Sequence, residues 1–280
     1  MDAQQQHLRL GMAGAIVLTD DSAALMKLRS PGVLAVVVES AARPAWQEEL
    51  VVAVERGAFV IDRCTLTLDR SEALPYVLEQ RLPHSGLSFE TRLALIDDLA
   101  NLADSLTLVS GCRGILLRIF TESPSQYCGF HVDTVMPGCP PFGLLKVYNG
   151  QGTRYVNPAD VKSMRDFYAY AGRRERLRRE LKTAIAADDA HESERLQRVI
   201  YALDHSLPFL KQGASVQELR AGSTVGFRHL DIRDHWAEHG PDRAWIHCSP
   251  IAGAIRLVVN LTPLDGAGVL QHESSARRHA

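Results

Sequence analysis

The most regular pattern in the chain is an apolar stripe across residues 87–108. Leu93, Ile96, Leu99, Ala100, Ala103 and Leu106 recur at helical spacing behind Ser88, a natural cap, and predict an amphipathic helix. Upstream, Val33-Leu34-Ala35-Val36-Val37-Val38 is continuously apolar, as a buried strand is. Residues 44–56 place Trp46, Leu50, Val51 and Val54 on one side of a second helix. The first ~110 residues therefore read as mixed α/β. From Gly114 the texture changes to short strands at 115–121, 129–133, 142–148 and 152–156, divided by Pro- and Gly-rich turns. Residues 158–211 are charged, helical in period and nearly free of glycine, with a turn expected at 184–190 and His191. Strands resume at 216–219, 223–228, 244–248 and 255–261. Four strands before the insertion and four after it make the eight of a double-stranded β-helix, the jelly-roll barrel of cupins. The fold class expected is α+β: that barrel (about 114–156 and 216–262), N-terminal α/β elements and a helical insertion at about 158–211. Residues 1–265 are expected to form one domain, and 266–280 a disordered tail.

Composition narrows the function classes. Of 280 residues 46% are hydrophobic and 23% charged, enough for a large core in an ordinary globular protein. A formal net charge of -2 gives no overall field favouring nucleic acid or an anionic membrane. No stretch approaches the ~20 apolar residues of a membrane helix, and the N-terminus lacks the basic region of a signal peptide. Five cysteines, widely spaced and without a C-x-x-C pair, argue against a zinc knuckle or disulfide scaffold and fit a reducing cytoplasm. A cytoplasmic protein acting on a small molecule is expected.

The chemistry centres on Cys128-Gly129-Phe130-His131-Val132-Asp133. Residues two apart on a strand face the same way, so His131 and Asp133 can look into the barrel together. His247, in Trp245-Ile246-His247-Cys248-Ser249-Pro250, supplies a third ligand. Two imidazoles and one carboxylate suit iron(II) and leave about three of its six positions open. Phe227-Arg228-His229-Leu230-Asp231 offers a competing H-x-D, only 18 residues before His247. The metal pair and the last histidine sit about five strands apart, too far for that connection. His229 and Asp231, with His235 and His239, instead read as a polar loop at the barrel mouth, His229 facing substrate. Arg256 stands nine residues beyond His247, at the start of an apolar strand. A guanidinium there needs an anion, either the distal carboxylate of 2-oxoglutarate or a buried Asp or Glu.

His131-x-Asp133, His247 and Arg256 together resemble the metal and co-substrate set of the iron(II)/2-oxoglutarate-dependent oxygenase superfamily. The wider pattern resembles a bacterial family of unknown function, the domain of unknown function 1826 family. Leu18-Thr19-Asp20-Asp21, Cys128 to Asp133, Tyr148-Asn149-Gly150-Gln151-Gly152-Thr153 and His247-Cys248-Ser249-Pro250 carry this second resemblance. It departs at Gly143, where the family has an arginine before the Leu-Leu pair, so the anion served by that arginine differs here. The superfamily resemblance implies Fe(2+), 2-oxoglutarate and O2, oxidation of a small molecule by hydroxylation, desaturation or ring closure, and release of succinate and CO2. Two rivals stay open: a cupin-type metal dioxygenase without 2-oxoglutarate, and a non-enzymatic metal-binding protein.

Tyr148 is a donor to the 2-oxoglutarate carboxylate or simply packing. Arg118 and Lys146, on strands beside the ligands, hold a substrate acid or are rim residues. The run from Arg173 to Glu180 interleaves arginine with glutamate and reads as a solvated helix face rather than a nucleic-acid site. Cys128 and Cys248 flank the ligands without binding metal. The insertion reads as a lid over the barrel mouth that leaves the ligand strands undisturbed, or as the arm of a homodimer.

Overall fold

The computed structural model describes residues 14–39, 43–69, 73–124 and 129–264. The expected disordered tail and Cys128 lie outside them. Strand β1 (Ala15–Thr19) pairs in parallel with β2 (Val33–Val38) across a 3-10 turn whose first free N–H, that of Ala23, is taken by Asp21 Oδ1 at 2.9 Å. Helix α1 (Ala45–Glu55), strand β3 (Cys64–Leu68) and helices α2 (Leu74–Arg81) and α3 (Phe89–Ser110) follow. Ser88 caps α3 by accepting from the Thr91 N–H, and Gly111 ends it in the left-handed region at φ 75°.

The later chain supplies β4 (Gly114–Glu122), β5 (Thr134–Val135), β6 (Phe142–Val147), β7 (Arg154–Tyr155), helices α4 (Met164–Ala186) and α5 (Ala190–Ser206), then β8 (Gln217–Glu218), β9 (Thr224–Arg228), β10 (Leu230–Asp231), β11 (His247–Cys248) and β12 (Arg256–Leu264). A seven-stranded sheet in the order β1-β2-β9-β6-β12-β4-β3 dominates, beside a three-stranded sheet β11-β7-β8 and a parallel pair β10-β5. The fold is mixed α+β with one large sheet.

Alternation along the strands divides that sheet into two faces. Leu257, Val259 and Leu261 of β12, with Ile115, Leu117, Ile119 and Leu144, pack against Leu95, Leu99, Leu102 and Leu106 of α3. The intervening residues Val258, Leu145, Val147, Val225 and Phe227 meet Tyr155 and Trp245 from the small-sheet side. The functional residues lie on this second face.

Three expectations need correction. The small-sheet strands are shorter than the apolar runs suggested: 129–133 makes only an isolated bridge at His131, and the Phe130 N–H goes to the Tyr170 hydroxyl at 3.3 Å instead of a ladder. The segment read as a loop at 229–231 carries β10, whose Leu230 N–H donates to the Asp133 carbonyl at 2.9 Å. Finally, the α4–α5 hairpin does not leave the ligand segments undisturbed. Phe167, Tyr168, Tyr170 and Leu203 form one core with Phe130, Val132, Ile246 and Cys248, the neighbours of His131 and His247. The hairpin turn does fall within the expected span, with Asp189 capping α5. Among the described residues no helix is long and apolar enough to cross a membrane.

Candidate metal centre

His131 and His247 lie opposite one another as an antiparallel bridge. The His131 N–H donates to the His247 carbonyl at 2.8 Å, and the His247 N–H returns to the His131 carbonyl at 3.0 Å. A directly hydrogen-bonded pair brings the two side chains to one face, and their rings stand 4.4 Å apart between centroids. Asp133, two residues beyond His131, turns its carboxylate to both. Oδ1 is 3.7 Å from His131 Nε2, and Oδ2 is 3.8 Å from His247 Nε2. One ligand atom from each of these residues lies within 4.8 Å of the others.

The far sides of the imidazoles are fixed by backbone. His131 Nδ1 meets the Gly129 carbonyl at 3.0 Å, and His247 Nδ1 meets the Trp245 carbonyl at 3.1 Å. A neutral imidazole donating through Nδ1 presents a lone pair at Nε2, the form that binds a metal. Gly129 is needed for this approach, because a Cβ there would fall 2.0 Å from Nε of the buried Arg174. Trp245 stacks on His247 at 4.2 Å and 18°, making a dry wall.

Electrostatics favour the same state. Burial, helped by the neighbouring His131 charge, pushes the His247 pKa down to about 4, so it is neutral at physiological pH. Burial alone would raise the Asp133 carboxyl, but the charge that His247, His131 and His229 carry when protonated, with that of Arg118, outweighs it and shifts the pKa down. The neutral His247 imidazole, the Nε2 of His131 and the Asp133 carboxylate together offer a donor set that fits a divalent ion such as iron(II).

The other sequence-predicted residues divide. Arg118 and His229 are near the triad, since the fields of both reach Asp133. His229 is buried at 6% exposure, inside rather than on a solvated loop. Asp231 points elsewhere, binding Arg233 at 2.6 and 3.0 Å. His235 and His239 gather around Tyr168, whose hydroxyl meets His239 Nε2 at 2.8 Å.

Lys146 and Tyr148 must be corrected. Both turn to the helix-covered face, where Lys146 Nζ meets the Asp98 carboxylate of α3 at 2.8 and 2.9 Å and the Tyr148 hydroxyl donates to it at 2.5 Å. They therefore face neither substrate nor co-substrate at the triad. Arg256 is also corrected. It is buried at 1% exposure, but its Nη2 pairs with Glu122 Oε1 at 2.7 Å and its Nη1 donates to the Gln151 carbonyl at 3.3 Å. Its anion is thus the protein's own carboxylate. Cys248 follows His247 on the strand, faces the other way and is buried in the hairpin core.

Sequence reasoning missed Asp98, Glu122, and the Tyr170–Asp204–Arg174 cluster behind His131. Tyr170 donates to Asp204 at 2.7 Å, and Arg174 meets the same carboxylate at 2.8 and 3.0 Å. These partners are distant in sequence, and Tyr170 and Arg174 signal themselves only by helical spacing.

Three solved structures show distant likeness. A dioxygenase for auxin oxidation from rice is 13% identical over 87% of this chain and 78% of that one, with a TM-score of 0.40. The Kdo hydroxylase KdoO, a non-haem Fe(II) alpha-ketoglutarate-dependent dioxygenase, is 14% identical over 88% of each chain, with a TM-score of 0.39. The collagen prolyl hydroxylase of Paramecium bursaria Chlorella virus-1 is 8% identical over 84% of this chain and 98% of that one, with a TM-score of 0.36. No curated protein matches. The family described as protein of unknown function DUF1826 matches residues 19–185, more than half of the chain, and the chain belongs to that family.

Proposed function

We propose that His131, Asp133 and His247 hold one iron(II) ion and that the protein is a 2-oxoglutarate-dependent oxygenase of a small molecule, with residues 1–265 as one domain. The observation that carries the reading is the convergence of two backbone-locked Nε2 atoms and one carboxylate within 4.8 Å. The strand order supports a double-stranded β-helix. Counted from β4, the first, third, sixth and eighth segments (β4, β6, β9, β12) lie in the large sheet. The second (the His131 bridge), fourth (β7), fifth (β8) and seventh (β11) form the small one.

Iron(II) with 2-oxoglutarate and O2 supplies a two-electron oxidation of a C–H bond, with succinate and CO2 as co-products. The chain's own share is placement and exclusion of water. His131 and His247 present their Nε2 atoms, Asp133 offsets part of the ion's charge, and Trp245 and Phe227 keep the His247 side apolar. The Arg256–Glu122 pair favours a second reading at one point, a metal dioxygenase that does not use 2-oxoglutarate, because the anticipated anchor is already engaged. Incubation with 2-oxoglutarate, iron(II) and ascorbate under air separates the two. Succinate above a His131→Ala control is expected; iron binding without any succinate would favour the second reading.

A further inference from the structure

Arg118 is a charged side chain near the centre. It stands on β4 in the cross-strand row Thr65, Arg118, Asn260 and Leu145, on the face that meets the small sheet. Its guanidinium is half-buried and makes no hydrogen bond or ion pair among the described residues. Burial lowers its pKa, and its charge is felt by both Asp133 and His229. His229 is buried, and its Nδ1 has no partner among the described residues. The ring fits there because residue 143 is glycine: a Cβ on Gly143 would lie 2.4 Å from His229 Nε2.

A partly desolvated guanidinium and an unpartnered buried imidazole nitrogen are costly unless an anion completes them. Asp133 cannot serve both, since its two oxygens face the Nε2 atoms of His131 and His247. With a divalent ion bound, the positive charge beside the single Asp133 carboxylate grows. Arg256, by contrast, is already matched to Glu122.

We infer that Arg118, together with His229, forms the anion subsite of this centre and receives a carboxylate. The inference rests on the metal-centre reading above. The carboxylate has two sources, the far end of 2-oxoglutarate or an acid group on the oxidised substrate. Either is held by the planar fork of Arg118.

Anaerobic calorimetry on the iron(II)-loaded protein distinguishes them. 2-Oxobutyrate has the same 2-oxo acid head as 2-oxoglutarate and lacks the far carboxylate. If that carboxylate sits at Arg118, the wild type prefers 2-oxoglutarate by about tenfold or more and Arg118→Leu erases the preference. If the substrate's acid sits there, Arg118→Leu leaves the preference intact and removes binding of succinate added after 2-oxoglutarate. Either result supports the subsite, provided the variant keeps its iron and Tm. Arg118→Lys, which retains the charge without the fork, should recover part of the loss, and His229→Phe should weaken the same ligand a few-fold. An Arg118→Leu protein matching the wild type in both titrations would overturn the inference. Should the protein bind no iron, the oxygenase reading fails, and succinate titration of the metal-free chain still decides the subsite: binding that depends on Arg118 supports it, and its absence overturns it.

Discussion

Because Gly129 and Trp245 offer carbonyl oxygens to the Nδ1 atoms of His131 and His247, both imidazoles reach the centre as Nε2 bases without needing the metal to orient them. His131→Ala, Asp133→Ala and His247→Ala should each abolish stoichiometric iron(II) binding, measured as metal content after desalting. Asp231→Ala and His229→Ala should leave it near normal, and iron retained by the His247 variant would sink the ligand assignment. The triad was legible in sequence because a spacing of two on a strand fixes a shared face whatever the register. Lys146 and Tyr148 were not, for an equally physical reason. Every residue of β6 is buried, so no polar–apolar alternation marks which face looks at the metal, and a choice of parity inverts every side chain. Arg256 was placed as a guanidinium needing an anion, but naming Glu122 required the β12–β4 register, in which the two are direct partners.

At the scale of elements, long periodic segments read well and short strands did not. Helix α3 and strand β2 declare themselves by pattern, whereas β7, β8 and β11 have two residues each in their ladders and owe their place to what packs over them. The α4–α5 hairpin is one such cover. Its Asp204 binds Arg174 and Tyr170 behind the Gly129–Phe130 backbone. Asp204→Ala should cost about 3 kcal/mol, because it takes the carboxylate from a buried guanidinium. It should also weaken iron binding by displacing the His131 segment, with denaturation and calorimetry as the readouts. Unchanged iron affinity in a destabilised variant would instead make the hairpin a separable lid. Glu49 gives a pH-dependent counterpart on the other side of the sheet. Its carboxylate, on α1, accepts from Thr91 Oγ1 at 2.5 Å and from the Ser88 N–H and hydroxyl at 2.6 and 2.8 Å, holding the start of α3. The Thr91 bond and then those from Ser88 lower its pKa from 4.5. A depressed folded-state pKa means that the stabilisation is present above pH 4.5 and disappears as pH falls below it. Glu49→Gln should therefore lower Tm at neutral pH by only about 1–2 °C, since the group is exposed, and the difference should close near pH 3.

For the whole molecule, the strand segments from Gly114 onward were legible because turn signals separate them, but the partners of the N-terminal strands were not. The apolar run of β2 announces burial on both faces without saying that β9 lies beside it, so the early α/β elements prove to extend the large sheet rather than stand apart from it. The result is an asymmetric molecule. One side has long ladders such as the nine-residue β12–β4 pairing under α3, and the other has two-residue ladders under the α4–α5 hairpin. Metal binding should act on that second side, because His131 and His247 belong to it and Asp133 follows directly before β5. A ligand that binds only the native state stabilises by about 2.7 kcal/mol at a hundred times its Kd, or a rise in Tm of roughly 5 °C for a chain of this size. Added anaerobically, iron(II) should thus raise Tm with concentration, and a chelator should reverse the shift. Amide hydrogen exchange should locate the gain in 129–135 and 244–248, while β4, β6 and β12 stay as slow as before. His131→Ala should show neither the rise in Tm nor the added protection. Protection spread evenly over both sheets, or a Tm gain that survives His131→Ala, would mean that the ion acts somewhere other than this centre.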